Sequence, residues 1–132
     1  MRVALACFGK FHADFLAESL YKEGVLAMVF TANPMFCKRI KIDRKHIRCL
    51  PLLIVPRIVM KIPILDLLYE GVNWLCIEIF DLWVSRQVRD CDLFIGWSSN
   101  CLKSMRAAKA NGIKTIVMRT SSHILSQKEI LE

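Results

Sequence analysis

Short apolar runs alternate along the chain with segments in which apolar residues recur every three or four positions. Val3–Phe8 is an apolar run that ends before a glycine, as expected for a central strand buried on both faces. Ala13–Glu23 has helical spacing, and Gly24 follows where a helix would end. Val25–Thr31 is a second, β-branched run that ends at Asn33-Pro34. Strand, helix and strand within about 30 residues predict a βαβ unit.

The second half of the chain continues this alternation. Asp66–Arg89 is the longest predicted helix, and its apolar residues surround most of its circumference, so we expect it to pack on more than one side. Leu93–Trp97 predicts a buried strand, Ser98-Ser99-Asn100 offers N-cap side chains, and Asn111-Gly112 ends the helix that follows. The remaining predicted elements are strands at Ile47–Leu50 and Thr115–Met118 and a helix from Leu125 to Glu132. This order predicts an α/β fold with a Rossmann-like parallel sheet and helices on both faces.

The composition fits one globular domain over residues 1–132, with 55% hydrophobic and 23% charged residues. The mean hydropathy of +0.38 is high, so either much of the chain is buried between helical layers or apolar surface contacts a partner or a bilayer. The longest apolar stretch, Leu50–Leu68, is interrupted by prolines and charges and predicts no membrane span. The N-terminal apolar run is too short for a signal peptide. We therefore expect a cytoplasmic protein.

The six cysteines show no close pairing with one another or with histidine. A zinc site or a disulfide framework normally shows tight spacing, so we interpret them as reduced, small hydrophobic residues and predict no metal site.

The net charge of +7 is concentrated in one segment. Residues 35–62 hold eight of the 19 Lys and Arg but only one of the 12 Asp and Glu, so this basic segment accounts for the whole excess. It predicts a surface that docks to an anionic lipid membrane or another polyanion, the alternative being a solvated loop. Nucleic acid is disfavoured as a partner because Phe36 is the segment's one aromatic residue, whereas single-strand binders stack bases on several.

Candidate chemistry lies in three loops that follow predicted strands. Ligands of an open parallel sheet bind beyond the carboxyl ends of its strands, and helix N-termini there favour anions such as phosphate. Neither a P-loop nor a G-x-G-x-x-G motif is present. Helix capping is the alternative for the serines, a structural role is the alternative for the histidines, and His46 is interpreted as solvated. The candidate substrate-binding residues are Gly9, Lys10, His12, Ser98, Arg119, Ser121, Ser122 and His123.

Glu70 and Glu78 match the E-x7-E spacing that is associated with sugar-nucleotide transferases. Both fall on the long predicted helix, about 80° apart around its axis, and neither follows a strand. We interpret them as solvated carboxylates and predict no catalytic residue in the chain.

Five segments follow one another along the chain: Gly9–His12, Phe80–Val84, Ile95–Ser98, Ser104–Lys109 and Arg119–His123. Together and in this order they resemble the N-terminal domain of GT-B glycosyltransferases of the group 1 (family 4) type. Such enzymes have two Rossmann-like domains that face each other across a cleft. The N-terminal domain mainly binds the acceptor, and the C-terminal domain binds the nucleotide-sugar and carries the E-x7-E carboxylates.

The resemblance implies that Gly9 lets the backbone approach the donor phosphates or the acceptor, and that His12, Arg119 and His123 line the cleft. Met118-Arg119-Thr120 departs from the Glu-Arg-Gly expected there. Residues 1–132 are therefore expected to be the acceptor-binding half of a retaining, hexosyltransferase-type enzyme, with no cofactor and a nucleotide-sugar as co-substrate.

The resemblance also implies an acceptor sugar or lipid-linked acceptor as partner, together with a missing or separate donor-binding domain without which the half is inactive. The alternative is a stand-alone Rossmann-like binding module that docks to an anionic lipid surface or polyanion through residues 35–62. Either case is compatible with a cytoplasmic protein peripheral to the membrane.

Overall fold

The computed structural model describes residues 1–8, 13–53, 55–56, 66–98 and 101–119. The strands are β1 (Val3–Cys7), β2 (Leu26–Thr31), β3 (Ile47–Cys49), β4 (Leu93–Trp97) and β5 (Lys114–Met118). The helices are α1 (Ala13–Lys22), α2 (Pro34–Arg39), α3 (Asp66–Ser85) and α4 (Leu102–Ala110). Two short 3-10 turns flank β3 at Arg44–His46 and Pro51–Leu53.

The five strands form one parallel sheet in the order β3-β2-β1-β4-β5. The chain moves outward from β1 to β3, returns across the sheet to β4, and continues to β5. The strand order therefore reverses between β1 and β4, and this is the position at which a Rossmann-like sheet opens a crevice for ligands. The predicted α/β fold with a parallel sheet is confirmed.

Side chains that alternate along the strands divide the core into two layers, which confirms the prediction of helices on both faces. On the α1–α2 face, Leu5 and Val29 pack with helix residues such as Ala17. On the α3–α4 face, Ala6 leaves room for Phe80 of α3. All five residues of β1 are buried because both faces of this strand are covered.

Two glycines end helices as the sequence predicts. Gly24 follows α1 with φ of +73°, and Gly112 follows α4 with φ of +72°, a region that other residues rarely adopt. The Gly24 amide donates to the Tyr21 carbonyl at 3.0 Å, and the Ile113 amide reaches back to the Ala108 carbonyl at 2.9 Å. These hydrogen bonds satisfy backbone carbonyls at the ends of α1 and α4, where the chain turns back to the sheet.

Helix α2 lies inside the basic segment, where the sequence pattern predicts no helix. Asn33 is its N-cap, and the side-chain carbonyl of Asn33 accepts a hydrogen bond from the Met35 amide at 3.0 Å, with Pro34 in the first turn. Phe36 and Ile40 anchor the segment on the α1–α2 face of the sheet. Asn33-Pro34 therefore starts a helix as well as ending a strand.

Two further details of the prediction need correction. The long helix α3 ends at Ser85 rather than Arg89, because the Gln87 amide donates to the Val84 carbonyl at 2.8 Å, which tightens the chain into a turn. His46 is half-buried rather than solvated. Its Nδ1 lies 3.1 Å from the Ala27 carbonyl oxygen, and its ring contacts Tyr21 edge-on. The helix predicted from Leu125 lies outside the described residues.

The high mean hydropathy has two sources, a two-layered core and an exposed apolar side of α3. Cys7, Cys76 and Cys101 are buried among apolar side chains, as expected of small hydrophobic residues. Within the described ranges, no helix combines the length and apolarity needed to cross a bilayer. The exposed apolar side chains of α3 are Leu68, Trp74, Leu75, Ile79 and Leu82.

Of the glycines that the structure describes, Gly96 has the least space for a side chain. A Cβ at this position would lie 2.6 Å from Cys101 Cβ and 3.1 Å from Met105 Cε, so α4 would have to move away from β4. We expect Gly96→Ala to lower the free energy of unfolding by about 1–3 kcal/mol, measured by urea denaturation.

Gly71→Ala is the matched control for this substitution. Gly71 is exposed in α3, and a Cβ at this position would meet no side chain within 4 Å. Alanine there should therefore raise the free energy of unfolding by about 0.5–1 kcal/mol. A Gly96→Ala protein as stable as the parent would contradict the close packing of α4 on β4.

Candidate substrate-binding edge

The carboxyl ends of β1, β4 and β5 lie side by side at one edge of the sheet, here called the carboxyl edge. The topology therefore brings the starting points of the three predicted loops together. Of the eight candidate residues, Ser98 and Arg119 fall within the described part of the chain. The other six lie outside it: Gly9, Lys10, His12, Ser121, Ser122 and His123.

Ser98 and Arg119 follow neighbouring strands. The Ser98 amide donates to the Met118 carbonyl at 3.0 Å, so the pairing of β4 with β5 extends to the carboxyl edge. Both Ser98 and Arg119 are exposed there. A hydroxyl and a guanidinium group are thus available on adjacent strands, next to the position where the strand order reverses.

Helix α4 begins at this same edge, but the predicted capping role of Ser98 is wrong. The Ser98 amide belongs to the sheet, and the N-cap position of α4 is Cys101, whose side chain makes no capping hydrogen bond. Ser99 and Asn100 lie outside the described residues. The first amides of α4 therefore need acceptors from another element.

Asp81 of α3 provides these acceptors. Its side chain is 2% exposed, and its two oxygens accept hydrogen bonds from the Lys103 amide at 2.6 Å and the Ser104 amide at 2.9 Å. The Ser104 hydroxyl also lies 2.7 Å from Asp81 Oδ1. A carboxylate at a helix N-terminus is stabilised by the helix dipole as well as by the amides. Asp81 thus holds the start of α4 against α3.

Glu78, one turn before Asp81, contacts the same helix. Its Oε2 lies 2.6 Å from Lys103 Nζ, so Glu78 is paired rather than solvated. Glu70 is exposed, as predicted. Because both partners of the Glu78–Lys103 pair are partly exposed, this ion pair contributes at most about 1 kcal/mol. Its role is to orient α4, and the two glutamates do not form a donor-site pair.

Cys101 lies at the start of α4 but is not a nucleophile. Burial raises the pKa of its thiol to about 11, with a smaller contribution from the negative charge of Asp81. The thiol therefore stays protonated at neutral pH, and only the thiolate attacks substrates.

An open groove of about 360 Å³ runs from Ser98 along α4 and is called here the rim groove. Leu102 and Val117 give it exposed apolar surface, and Arg106 and Lys109 add two exposed cations. Such a groove can hold an elongated ligand that has both an apolar and an anionic part. Helical spacing predicts that Arg106 and Lys109 are exposed, but it does not show that they line a groove with Val117 of β5.

The fold is similar to part of a solved structure, the crystal structure of TcCGT1 in complex with UDP. The superposition has a TM-score of 0.59 at 14% sequence identity, and it covers 92% of this chain but 28% of TcCGT1. At this identity the likeness shows the Rossmann-like fold. No protein-family model and no curated protein matches the chain in sequence.

Removing the Asp81 carboxylate should destabilise the protein through α4. In Asp81→Ala the Lys103 and Ser104 amides lose their acceptors in a buried position, so the free energy of unfolding should fall by about 1–3 kcal/mol. Asp81→Asn keeps one side-chain carbonyl oxygen, so its free energy of unfolding should lie between those of the parent and of Asp81→Ala. Glu70→Ala, at an exposed position of the same helix, should stay within about 0.5 kcal/mol of the parent. Equal stabilities of Asp81→Ala and Glu70→Ala would show that α4 does not depend on this cap.

Proposed function

We propose that residues 1–132 form the acceptor-binding half of a retaining, nucleotide-sugar-dependent glycosyltransferase of GT-B architecture, which is inactive without a donor-binding domain. One observation carries the proposal. The sheet brings the carboxyl ends of β1, β4 and β5 together, with Ser98 and Arg119 exposed on adjacent strands. The fold likeness to TcCGT1, a protein solved with UDP, supports the same assignment.

In this proposal the carboxyl edge forms one wall of a cleft that a second domain closes. Ser98 and Arg119 bind hydroxyl and anionic groups of the substrates, since a guanidinium group binds phosphate through two parallel hydrogen bonds. The nucleotide-sugar enters as co-substrate from the second domain, and no cofactor takes part. The other proposed binding residues of this wall are Gly9, Lys10, His12, Ser121, Ser122 and His123.

The rim groove favours a lipid-linked acceptor over a free sugar. A free sugar presents mainly hydroxyl groups, whereas Leu102 and Val117 expose apolar surface beside Ser98. A lipid phosphate would also place negative charge near Arg106 and Lys109. The groove therefore suits an acceptor whose sugar lies at the carboxyl edge and whose phosphate and first apolar carbons follow α4.

Turnover measurements test the proposal directly. The 132-residue chain alone should transfer no sugar from a panel of nucleotide-sugars, whereas a longer protein that joins this chain to a donor-binding GT-B domain should do so. In that longer protein Arg119→Ala should raise the KM for acceptor about tenfold or more, because a charge-assisted hydrogen bond is lost.

The control is Arg86→Ala, an exposed arginine just past the end of α3, at the opposite edge of the sheet. It should leave the KM unchanged. Turnover by the 132-residue chain alone would contradict the proposal, and so would equal KM values for the Arg119 and Arg86 variants.

The exposure of the basic segment favours a second candidate function, docking to an anionic lipid surface. The cations of α2 and the following turn point to solvent, and within the described residues one ion pair involves them, Lys45 to Asp43 at 3.7 Å. Each basic residue near an anionic membrane contributes about 1 kcal/mol of attraction. The described exposed cations of this segment are Lys38, Arg39, Lys41, Arg44, Lys45 and Arg48.

Liposome flotation distinguishes docking from simple solvation of this segment. The chain should float with vesicles that contain phosphatidylserine and stay at the bottom with neutral phosphatidylcholine vesicles, and added salt should release it. A Lys38→Gln, Arg39→Gln, Lys41→Gln variant should float less. Equal flotation with both vesicle types, or with neither, would exclude electrostatic docking.

A further inference from the structure

A second cavity lies on the α3–α4 face of the sheet, where it extends from the beginnings of β1 and β2 to Phe30 and the edge strand β3. It has a volume of about 270 Å³ and is called here the arginine cavity. Three arginines that are distant in sequence line it, namely Arg2, Arg48 and Arg89. Such convergence of cations from separate elements is a feature that neither the sequence pattern nor the proposed transfer reaction accounts for.

The three arginines stand on backbone that the fold fixes firmly. The Arg2 amide donates to Asp92 Oδ2 at 2.8 Å, and its carbonyl accepts from the Asp92 amide at 2.8 Å. Arg48 lies in β3, in register with Phe30 of β2. Arg89 follows the buried Val88, whose carbonyl accepts from the Asn111 side chain at 3.2 Å. The cavity is therefore present before any ligand arrives, which lowers the ordering cost of binding.

The described residues balance only part of the positive charge of these three arginines. None of the three guanidinium groups lies within 4.0 Å of a carboxylate in the described part of the chain. Among the described residues that line the cavity, Asp90 is the one acidic residue, so these residues together have an excess of two positive charges. Like charges held on a fixed backbone repel one another, and an anion of two charges would relieve this repulsion.

Part of the cavity lining, called here the floor, is formed by apolar residues. Ala4, Met28, Phe30 and Val88 line it, and Phe30 and Val88 belong to the core on the α3–α4 face of the sheet. A bare inorganic ion would leave this surface uncovered. A ligand with an oxyanion at one end and a small apolar group at the other would use both parts of the cavity.

We propose that the arginine cavity binds a small phosphate monoester, with the phosphate at Arg2, Arg48 and Arg89 and the apolar part of the ester on the floor beside Phe30. Guanidinium groups match the geometry of phosphate oxygens and stay charged at all physiological pH values. The site is separate from the proposed acceptor wall and does not depend on glycosyl transfer.

Isothermal titration calorimetry with three probes tests the proposal on the 132-residue chain. Phenyl phosphate carries both the dianion and an apolar ring, inorganic phosphate carries only the anion, and benzoate carries a ring with a single charge. Phenyl phosphate should bind most tightly of the three. Each of Arg2→Gln, Arg48→Gln and Arg89→Gln should weaken its binding by about tenfold or more, since each removes one charge-assisted contact.

Lys22→Gln is the matched control, because it removes an exposed cation at the end of α1 that lines neither this cavity nor the proposed acceptor wall, and it should leave the affinity for phenyl phosphate unchanged. Circular dichroism checks that each variant is folded, and the three arginines are exposed, so glutamine can replace them without loss of core packing. The proposal is overturned if phenyl phosphate does not bind, if phosphate or benzoate binds as tightly, or if Lys22→Gln weakens binding as much as the arginine variants do.

Discussion

The start of α4 depends on an acceptor that α4 does not contain. Cys101 occupies the N-cap position, but its side chain makes no capping hydrogen bond. The buried carboxylate of Asp81 accepts hydrogen bonds from the Lys103 and Ser104 amides instead. Gly96 allows this arrangement because a side chain there would meet Cys101. β4, α3 and α4 are therefore fixed relative to one another at one point. That point lies beside the carboxyl edge, so the position of the proposed acceptor wall follows from it.

The positive charge of the chain does not form a single surface. Helix α2, which contains Lys38 and Arg39, packs on the α1–α2 face through Phe36. Arg48, by contrast, lines a cavity with Phe30, and Phe30 belongs to the α3–α4 face. The basic segment therefore crosses the edge of the sheet at β3. A flat membrane that contacts the α2 cations would not at the same time contact the apolar outer side of α3. Charge and exposed apolar surface are thus available to different partners.

The predictable part of the fold is the part that local chemistry decides. Gly24 and Gly112 end helices because few other residues adopt a positive φ, and the buried strands show as apolar runs because both sheet faces are covered. The less predictable features depend on contacts between distant residues. In the sequence, Asp81 is a polar residue of a mostly apolar helix, and nothing near it indicates a partner. Its partner Ser104 lies 23 positions later in the chain. His46 likewise becomes half-buried only through Tyr21 and Ala27. Of the candidate site, topology predicts the shared edge, but which side chains meet there depends on loop conformation.

The acidic groups near the described carboxyl edge are already used to hold the structure. Asp81 accepts backbone amides of α4, and Glu78 pairs with Lys103, so both hold α4 against α3. The Cys101 thiol is kept protonated by burial. What the described edge presents to a ligand is a hydroxyl at Ser98, cations such as Arg119 and Arg106, and apolar surface. The proposed function assigns to these groups the binding and orientation of a substrate, and none of these described groups is a general base.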